Sequence, residues 1–360
     1  MSEKKDLTEL RGEIDSIDRE MMRLFEERMN ISRQVGDYKR ERGLPVFDET
    51  REKEVIAART ALIGEEALRP YASRLMHNIM DYSKEVQKRP GGKVAFQGCR
   101  GAYSEEAART CFPDAELAAK EQFEDVFRAV ARGEAEAGVV PVENSAAGSV
   151  TANIDLLGRY DLSVQGEVLL PIRHVLLGAP GASLSDIGEV YSHEQAIRQC
   201  SAYLAGHTNW TIRDYPNTAM SAKYVAECGD KAKAAIASAF AGEVYGLVPL
   251  ERDISDSMEN FTRFFVLSRQ SGIAEGADKA SLLFTLNHVS GSLAKVLSVF
   301  GEKGYNLTKI ESRPILGRNW EYKFYVDVEG DIARLSEDMA QIGRYCLELR
   351  LIGGYRKAKR

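Results

Sequence analysis

The sequence has 360 residues, of which 44% are hydrophobic and 28% are charged, and its formal net charge at pH 7 is −6. This length is long for one hydrophobic core, so two or three domains are expected. The acidic balance, with no Lys/Arg block beyond the C-terminal YRKAKR, argues against a nucleic-acid or membrane-surface role. No apolar run approaches membrane-spanning length, and the opening MSEKKDLTEL lacks a signal-peptide core.

The five cysteines are scattered along the chain, at positions 99, 111, 200, 228 and 346, without any C-x-x-C pair. This pattern is typical of reduced thiols and predicts a cytoplasmic protein in which the cysteines serve as small buried hydrophobes. The five histidines show no metal-ligand spacing. We therefore expect no metal and no cofactor.

Residues 1 to about 90 predict an all-helical domain. Apolar residues recur at alternating steps of three and four from Leu7 to Tyr38, with one gap. This heptad stripe is longer than a globular helix needs, so it should pack along a partner helix. The segment GLPVFD should end the helix and Asp48 should cap the next one, while a third helix follows LRPY and runs to about Gln87.

Arg28 occupies the gap in the apolar stripe, where a cation is costly unless an anion meets it. Lys39 lies about three turns further on and shares the face of Arg28. Arg11 precedes Arg28 by about 25 Å along the helix axis and is rotated from it by about 100°. One small ligand cannot touch Arg11 and Arg28 from the same helix. If Arg11 serves that ligand, a second, antiparallel chain must supply it.

From Val94 onward, short apolar runs alternate with helical stretches, which predicts a parallel α/β sheet. The passage LSVQGEVLLPIRHVLLGA, residues 162–179, is too long for one strand and could cross between two lobes. Small polar residues cluster where strands end, and such turns gather along one sheet edge, where ligands bind. The four segments that carry them are residues 98–108, 141–150, 191–200 and 215–222.

The stretch ENFTRFFVL, residues 259–267, reads as a buried strand in which Thr262 and Arg263 must point to opposite faces. Burying either side chain is costly without a polar partner. A linker, SRQSGIAEGADK, follows this stretch. The patterns after the linker have the order βαββαβ, which predicts an α+β ferredoxin-like fold.

The polar positions of the first segment resemble the all-helical chorismate mutase family over residues 5–90. The resemblance implies an intertwined dimer that rearranges chorismate to prephenate and lends one arginine to the neighbouring site. It implies that Lys39 and Gln87 donate to the ether oxygen and that Glu52 takes the ring hydroxyl. The remaining substrate-binding residues that it implies are Arg11, Arg28, Asp48, Arg51 and Ser83. A helical dimerisation segment with solvated charges is the alternative.

The motifs PVENSAAG, GEVLLPIRH, YSHEQAIRQC and NFTRF occur in the order found in prephenate dehydratases, over residues 94–268. The resemblance implies two α/β lobes, periplasmic-binding-protein-like, around a cleft that dehydrates and decarboxylates prephenate. Thr262 is the expected donor to the leaving hydroxyl and Glu143 a rival acid, with His193 ranked lower and His174 lower still. Arg263 is either structural or a carboxylate contact. The implied substrate-binding residues are Asn144, Ser145, Ser192 and Gln199.

The βαββαβ segment resembles the ACT domain, a regulatory fold that binds amino acids between paired copies. Its stretches GSLAKVL (291–297) and ESRP (311–314) correspond to phenylalanine-binding motifs of the dehydratase family. The residues that this resemblance assigns to phenylalanine are Gly291, Ser292, Leu293, Asn306, Leu307, Glu311, Ser312, Arg313 and Pro314.

These resemblances predict a chorismate mutase domain at 1–90, a prephenate dehydratase domain at 93–270 and an ACT domain at 279–360. The predicted protein is a bifunctional, homodimeric or larger enzyme of phenylalanine biosynthesis. Its partners would be chorismate, prephenate and the inhibitor L-phenylalanine, with no nucleic acid and no membrane. Two alternatives remain open: a non-catalytic phenylalanine sensor with decayed enzyme domains, and a dehydratase that prefers arogenate.

Overall fold

The computed structural model describes residues 6–42, 44–88, 92–315, 317 and 321–358. The chain divides into two compact units, residues 1–91 and residues 92–360. The first unit is all-helical, and the second contains three sheets with their helices.

The N-terminal unit consists of three helices, α1 (Leu7–Glu41), α2 (Glu49–Thr60) and α3 (Arg69–Lys88). Asp48 caps α2, because its carboxylate accepts a hydrogen bond from the backbone amide of Arg51 at 3.0 Å. The third helix begins within LRPY rather than after it. Pro70 is tolerated there because the amides of a first helical turn have no partner within the helix.

Helices α1 and α3 pack closely, yet most of the apolar stripe of α1 stays exposed. A side-chain carbon at Gly36 would lie 2.6 Å from the carbonyl oxygen of Gln87, so only glycine permits this approach. The rings of Phe25 and Tyr82 meet edge to face at 6.2 Å. The exposed stripe residues are Leu7, Leu10, Ile14, Ile17, Met21, Leu24, Ile31, Val35 and Tyr38. A single copy of this unit therefore presents a long apolar seam, which is typical of an interaction surface.

The first lobe of the second unit is a six-stranded sheet. Its strands are β1 (Val94–Gln97), β2 (Leu117–Lys120), β3 (Ala137–Asn144), β4 (Gly148–Ser149), β5 (Ser163–Pro171) and β11 (Phe261–Ser268), and its helices are α4 (Tyr103–Cys111), α5 (Phe123–Ala131) and α6 (Thr151–Arg159). The strand order is β2-β1-β3-β11-β5, with β4 paired to β3. Strands β1, β2 and β3 are parallel, whereas β11 runs antiparallel to both of its neighbours.

The second lobe is a five-stranded sheet in the order β10-β6-β9-β7-β8. Its strands are β6 (Val175–Gly178), β7 (Glu189–Ser192), β8 (Thr211–Asp214), β9 (Lys233–Ala237) and β10 (Val248–Glu251), and its helices are α7 (Glu194–Arg198), α8 (Ser201–Ala205), α9 (Thr218–Cys228) and α10 (Ala239–Tyr245). Strand β7 is parallel to β8 and β9, while β6 is antiparallel to β9 and β10.

The passage 162–179 crosses between the two lobes, as its length suggested, because β5 belongs to the first sheet and β6 to the second. The expectation of a parallel sheet is wrong: both sheets are mixed. The chain passes to the second lobe through β5 and β6 and returns through β10 and β11, and all four of these strands run antiparallel to their sheet neighbours.

The C-terminal domain has the predicted βαββαβ order. It consists of β12 (Lys279–Thr285), α11 (Ser292–Glu302), β13 (Asn306–Pro314), β14 (Tyr322–Glu329), α12 (Leu335–Ile342) and β15 (Glu348–Tyr355), with the antiparallel strand order β13-β14-β12-β15. One face of this sheet packs on its own helices. From the other face, Leu283, Tyr325 and Tyr355 join the same hydrophobic cluster as Phe265 and Val140 of the first lobe. The two sheets therefore share one core.

Among the described residues, no helix is both long and apolar enough to cross a membrane. All five cysteines fall within the described ranges and are free thiols. In the same ranges, no group of three or more His, Cys, Asp or Glu residues is arranged to hold a metal ion.

Candidate functional sites

Arg28 is a half-buried cation that faces helix α3. Its guanidinium donates hydrogen bonds to the Ser83 hydroxyl and, at 3.3 Å, to the sulfur of Met80. Burial, and then the nearby charge of Arg59, lowers the pKa of Arg28 from its ordinary value, although an arginine stays protonated in proteins. Among the described residues no carboxylate lies within ion-pair distance of Arg28, so the site holds a cation without a counterion.

Lys39 and Glu52 lie on either side of the turn between α1 and α2. The Lys39 ammonium donates to the carbonyl oxygen of Val46 at 2.8 Å, and no described carboxylate pairs with it. Glu52 forms an ion pair with Lys84 of α3 at 3.0 Å, and both side chains are largely buried. The sequence analysis missed Lys84. Its position three residues before Gln87, on the same helix face, is the signal that pointed to it.

The remaining predicted residues of the helical unit are dispersed. Asp48 serves as the cap of α2, and the exposed Arg51 reaches Glu54 at 3.5 Å. Arg11 is exposed near the start of α1, on the same unbroken helix as Arg28 and about 25 Å from it. The structure thus brings Arg28 to Ser83 and Glu52 to Lys84, and it leaves Arg11 and Arg51 apart from them.

A cleft of about 430 Å³ lies between the two lobes of the second unit. All four polar segments singled out in the sequence contribute to its lining, through residues that include Tyr103, Ser104, Asn144, Ser149, His193, Gln195, Gln199, Asn217 and Thr218. None of the described lining residues is Asp, Glu, Lys or Arg, and the lining includes two histidines. The cleft is therefore polar but nearly uncharged, and it offers hydroxyls and amides.

Thr262 lines this cleft, on the opposite strand face from Arg263, as the alternation along β11 predicted. Its hydroxyl oxygen accepts a hydrogen bond from the Asn144 amide at 2.9 Å. Asn144 is itself held because its carbonyl oxygen accepts from the backbone amides of Ala146 and Ala147. The described residues provide no acceptor for the Thr262 proton, which is therefore available to a ligand in the cleft.

Arg263 points away from the cleft, and its side chain is only 8% exposed. Its guanidinium nitrogens lie 2.7 Å from Asp327, 3.2 Å from Glu167 and 3.1 Å from Glu143. The alternative left open in the sequence is thereby answered, since Arg263 meets carboxylates of the protein itself. Glu143 also contacts Lys309 at 2.8 Å and does not line the cleft. This placement removes Glu143 as an acid acting in the cleft.

His174 was ranked last in the sequence, yet it is buried in the cleft lining. Its Nε2 lies 2.9 Å from the Gln199 side-chain oxygen, and its Nδ1 lies 3.2 Å from the Tyr103 hydroxyl. Burial lowers the pKa of His174, while the hydrogen bond to Gln199 opposes this effect, so the imidazole is neutral at pH 7. Since Gln199 presents an acceptor, Nε2 carries the proton and Nδ1 can accept one. The position of His174 within the crossing passage is the signal that was available.

Three other predicted residues are occupied by local structure. His193 is exposed at the cleft rim and caps α7 by accepting from the Gln195 amide at 3.2 Å. Ser192 is fully buried, donates to the Ile236 carbonyl oxygen at 2.7 Å and does not line the cleft. Ser145 ties its loop to β11, because its hydroxyl accepts from the Phe261 amide at 3.0 Å.

The C-terminal domain holds a separate cavity of about 300 Å³. Ser292 and Leu293, at the start of α11, line it, and Gly291 precedes them with a φ of 80°, a conformation that favours glycine. Two more lining residues, Tyr322 and Phe324, are the β14 partners of Pro314 and Ser312. Asn306 and Leu307 lie at the opposite end of β13. The two predicted phenylalanine motifs therefore flank one cavity.

The other two residues of ESRP are engaged within the second unit. Arg313 forms a two-pronged ion pair with Asp155 of α6, at 2.9 and 2.7 Å. That hydrogen bond is the main cause that raises the pKa of Arg313. Glu311 lies 3.6 Å from Lys309. Strand β13 is thus tied to the first lobe of the cleft.

Three family models match the chain in succession. They are chorismate mutase type II over residues 10–88, prephenate dehydratase over 94–272 and the ACT domain over 280–345. The folds of the three segments fit these matches: a helical domain, a two-lobed α/β domain and a ferredoxin-like domain. They define a class of protein that joins a mutase, a dehydratase and an amino-acid-binding domain in one chain.

A bifunctional chorismate mutase/prephenate dehydratase from Aquifex aeolicus is 34% identical to this chain in an alignment of 366 positions, gaps included, that covers 98% of this chain and 99% of the relative. Arogenate dehydratase 2 of Petunia hybrida is 40% identical over 284 residues, covering 73% of this chain and 71% of that protein. The crystal structure of prephenate dehydratase from Arthrobacter aurescens, in complex with L-phenylalanine, matches with a TM-score of 0.67 at 33% identity, covering 73% and 89%. The chain belongs to the bifunctional chorismate mutase/prephenate dehydratase family.

Proposed function

We propose that this chain makes phenylpyruvate from chorismate in two steps. The helical domain rearranges chorismate to prephenate, and the two-lobed domain removes the ring hydroxyl and CO₂ from prephenate. L-phenylalanine binds the ACT domain and inhibits the enzyme. The observation that carries the proposal is Thr262, whose hydroxyl proton is unclaimed by the described residues in a cleft lined by uncharged groups.

In the mutase domain, Arg28 and an Arg11 from a second copy of the chain clamp the two carboxylates of chorismate. Lys39 and Gln87 donate to the ether oxygen, where negative charge grows in the transition state, and Glu52 takes the ring hydroxyl. Ser83 orients Arg28. The lack of a described counterion at Arg28 and Lys39 supports this assignment. Asp48 and Arg51 shape the turn beside the pocket.

In the dehydratase domain, Thr262 donates a hydrogen bond to the departing hydroxyl, which is a poor leaving group without such assistance. Asn144 fixes Thr262, and Gln199 with His174 binds and orients the substrate. The charge of the departing carboxylate disappears as CO₂ forms, so a cleft without cations favours the reaction. Ser145 and Ser192 support the surrounding loops rather than the substrate. Neither step requires a metal or a cofactor.

In the ACT domain, phenylalanine occupies the cavity beside Gly291, Ser292 and Leu293, with the strand Glu311–Pro314 on its flank. Asn306 and Leu307 face a second copy of the domain. The protein acts as a homodimer or a larger homo-oligomer, which the exposed seam of α1 supports, and we place it in the cytoplasm. The proposed domain limits are 1–90, 93–270 and 279–360.

The experiment follows the conversion of chorismate by the purified chain. Phenylpyruvate should appear, and prephenate should precede it. Lys39→Ala should lower the mutase rate by about 10²-fold or more while sparing the dehydration of added prephenate. Thr262→Ala should do the reverse, by about 10²–10⁴-fold, and Thr262→Ser should retain most of the activity.

Two outcomes would replace the proposal. If neither chorismate nor prephenate is consumed while phenylalanine still binds, the protein is a sensor with inactive enzyme domains. If arogenate is turned over with a higher kcat/KM than prephenate, the second substrate is the aminated one. The similarity to the Petunia arogenate dehydratase makes this comparison necessary.

A further inference from the structure

Six charged side chains meet between the dehydratase domain and the ACT domain, and we call them the interdomain charge network. The dehydratase domain supplies two anions and a cation, and the ACT domain supplies two cations and an anion. The members are Glu143, Glu167, Arg263, Lys279, Lys309 and Asp327. Each side contributes the opposite net charge, −1 against +1, so the network is complementary across the boundary.

Except for Glu143, whose side chain is 37% exposed, the members of the network are buried, which makes their pairing energetically important. The side chains of Asp327 and Glu167 are 0% and 3% exposed, and that of Lys279, which pairs with Glu167 at 3.0 Å, is 9% exposed. Burial alone would lower the pKa of Arg263, but the charges of Asp327 and Glu167 more than offset this and raise it. Removing one member of such a cluster leaves an uncompensated buried charge.

Asp327 is held from the ACT side by a ring of hydroxyls. Its Oδ1 accepts from Ser281 at 2.6 Å and also from Tyr325, and Ser281 in turn lies 2.7 Å from the Tyr355 hydroxyl. These residues lie on β12, β14 and β15, three of the four ACT strands. The carboxylate that meets Arg263 is therefore fixed by the ACT sheet and moves with it.

On the dehydratase side, the network lies directly behind the groups proposed to act on prephenate. Strand β11 pairs with β3 so that Thr262 faces Asn144 and Arg263 faces Glu143. Both members of the first pair line the cleft, and both members of the second belong to the network. The pairing is irregular between Arg263 and Phe264, which is where a bulge re-aims side chains. A shift of Arg263 along or across β11 must therefore displace Thr262.

The fourth ACT strand reaches β3 and the short strand β4 that pairs with it. Lys309 of β13 lies 2.8 Å from Glu143 of β3 and 2.6 Å from the Ser149 hydroxyl of β4. Lys309 lies two residues before Glu311, on the strand that flanks the proposed phenylalanine cavity. Displacement of β13 would therefore act on the strand that carries Asn144.

We infer that Arg263 is a positioning residue of the dehydratase, and that its pairing with Asp327 transmits the state of the ACT domain to Thr262. This inference rests on the proposed function for what Thr262 does. In the arrangement described here Arg263 touches no group in the cleft and acts through the strand that it shares with Thr262.

The test compares Asp327→Asn, Arg263→Lys and the double variant with the full-length parent. The control is Arg350→Met, because Arg350 of β15 also bridges the two domains, to the carbonyl oxygens of Tyr160 and Leu162, but touches no residue of the network. Dehydratase kcat and KM with added prephenate are measured with and without phenylalanine. The mutase rate of each full-length variant serves as an internal check on concentration and folding, because the N-terminal unit is distinct from the unit that carries the substitutions.

Asp327→Asn should lower dehydratase kcat at least tenfold with KM changed less than threefold, and should shift the half-inhibiting phenylalanine concentration at least fivefold. The double variant should cost less than the product of the two single effects. Arg350→Met should change each quantity less than twofold. The inference would be overturned if Asp327→Asn kept both its dehydratase kcat and its half-inhibiting phenylalanine concentration within twofold of the parent. It would also be overturned if Arg350→Met changed these two quantities as much as Asp327→Asn does.

Hydrogen exchange at the backbone amides of Phe261–Phe264 supplies a readout that needs no activity. Exchange there should be at least tenfold faster in Asp327→Asn than in Arg350→Met. If the parent fails to consume prephenate, the proposed function of Thr262 is wrong, and this exchange comparison still decides whether Arg263 and Asp327 position the strand. Equal exchange in the two variants would reject the link.

Discussion

His174 gives the dehydratase cleft a neutral imidazole whose Nδ1 can accept a proton. Because burial lowers the pKa of His174 below its ordinary 6.5, kcat/KM for prephenate should be constant from pH 7 to 8.5 and should fall only below about pH 6.5. His174→Asn should lower the plateau at least tenfold and abolish this acidic limb. A pH profile of each protein measures both effects.

His193→Asn is the matched control for this profile, since His193 is exposed at the cleft rim and serves as a helix cap. It should keep the acidic limb of the parent. If the limb instead disappears with His193 and persists without His174, the assignment of the two histidines must be exchanged.

Glu106 on α4 carries a carboxylate with one buried oxygen that has no hydrogen-bond partner in the described chain. Burial, and then the charge of Glu243 on α10 of the other lobe, raises the pKa of Glu106 to about 7. The folded protein therefore binds this proton more tightly than the unfolded chain does. Between the ordinary value of 4.5 and about 7, the free energy of unfolding must fall as pH rises.

Glu106→Gln should remove this penalty. At pH 8 the free energy of unfolding of the variant should exceed that of the parent by up to about 2 kcal/mol, after allowance for solvent screening of a partly exposed group. At pH 5 the two proteins should unfold alike, because the parent is then protonated. Calorimetry at the two pH values measures the difference. A gain of equal size at both would show that packing, rather than charge, is responsible.

Single residues also show where the sequence was informative. Period-two alternation placed Thr262 and Arg263 on opposite faces without any knowledge of their neighbours. The same rule puts Glu143 on the opposite face of β3 from its neighbour Asn144, so the two side chains could not both be expected in the cleft. The sequence also could not show that Ser192 is unavailable to the substrate. Its hydroxyl donates to the carbonyl oxygen of Ile236 on β9, a contact that no local pattern encodes.

At the scale of elements, Asp48 has two possible roles, as the cap of α2 and as a residue that binds chorismate, and two substitutions distinguish them. Asp48→Ala should destabilise the N-terminal unit by about 1 kcal/mol, because the Arg51 amide loses its acceptor. Asp48→Asn should keep the stability, because asparagine caps equally well. Thermal unfolding monitored through the mutase rate measures both variants, and dehydratase activity should not change.

The activity of Asp48→Asn then decides the second role. Mutase activity close to that of the parent would assign Asp48 to the cap alone. A loss of more than tenfold at unchanged stability would show that its negative charge, and not only its hydrogen bond, contributes to the pocket.

Elements differ in how far the sequence determined them. The heptad stripe specified α1 almost from end to end, since helical periodicity is local. The βαββαβ order specified the ferredoxin-like sheet for the same reason. The direction of β5, β6 and β11 could not be read, because it depends on which of two sheets each strand enters. Hydrophobic runs alone carry no such information.

At the scale of the whole molecule, the exposed seam of α1 predicts that the mutase exists only as an assembly. Ile17→Glu should convert the protein to smaller species and abolish mutase activity, because it places a charge in an apolar interface and withdraws Arg11 from the neighbouring site. Dehydratase activity on added prephenate should remain. Light scattering with the two assays measures these outcomes.

Arg19→Glu introduces the same side chain about 200° around α1 from Ile17 and provides the control. It should leave both the mass and the mutase rate unchanged. A mutase that remains fully active in a strictly monomeric Ile17→Glu protein would refute the shared site.

The common core of the first lobe and the ACT sheet bears on how the enzyme could be engineered. Phe265 and Val140 pack in one cluster with Leu283, Tyr325 and Tyr355. A chain cut before residue 279 would lose the members Leu283, Tyr325, Ile352 and Tyr355 and expose the side chains of the first lobe that they cover, so we expect such a product to aggregate. A version freed from feedback is better sought by substitutions around Ser292 than by deletion. In this protein the regulator is also part of the scaffold of the catalyst.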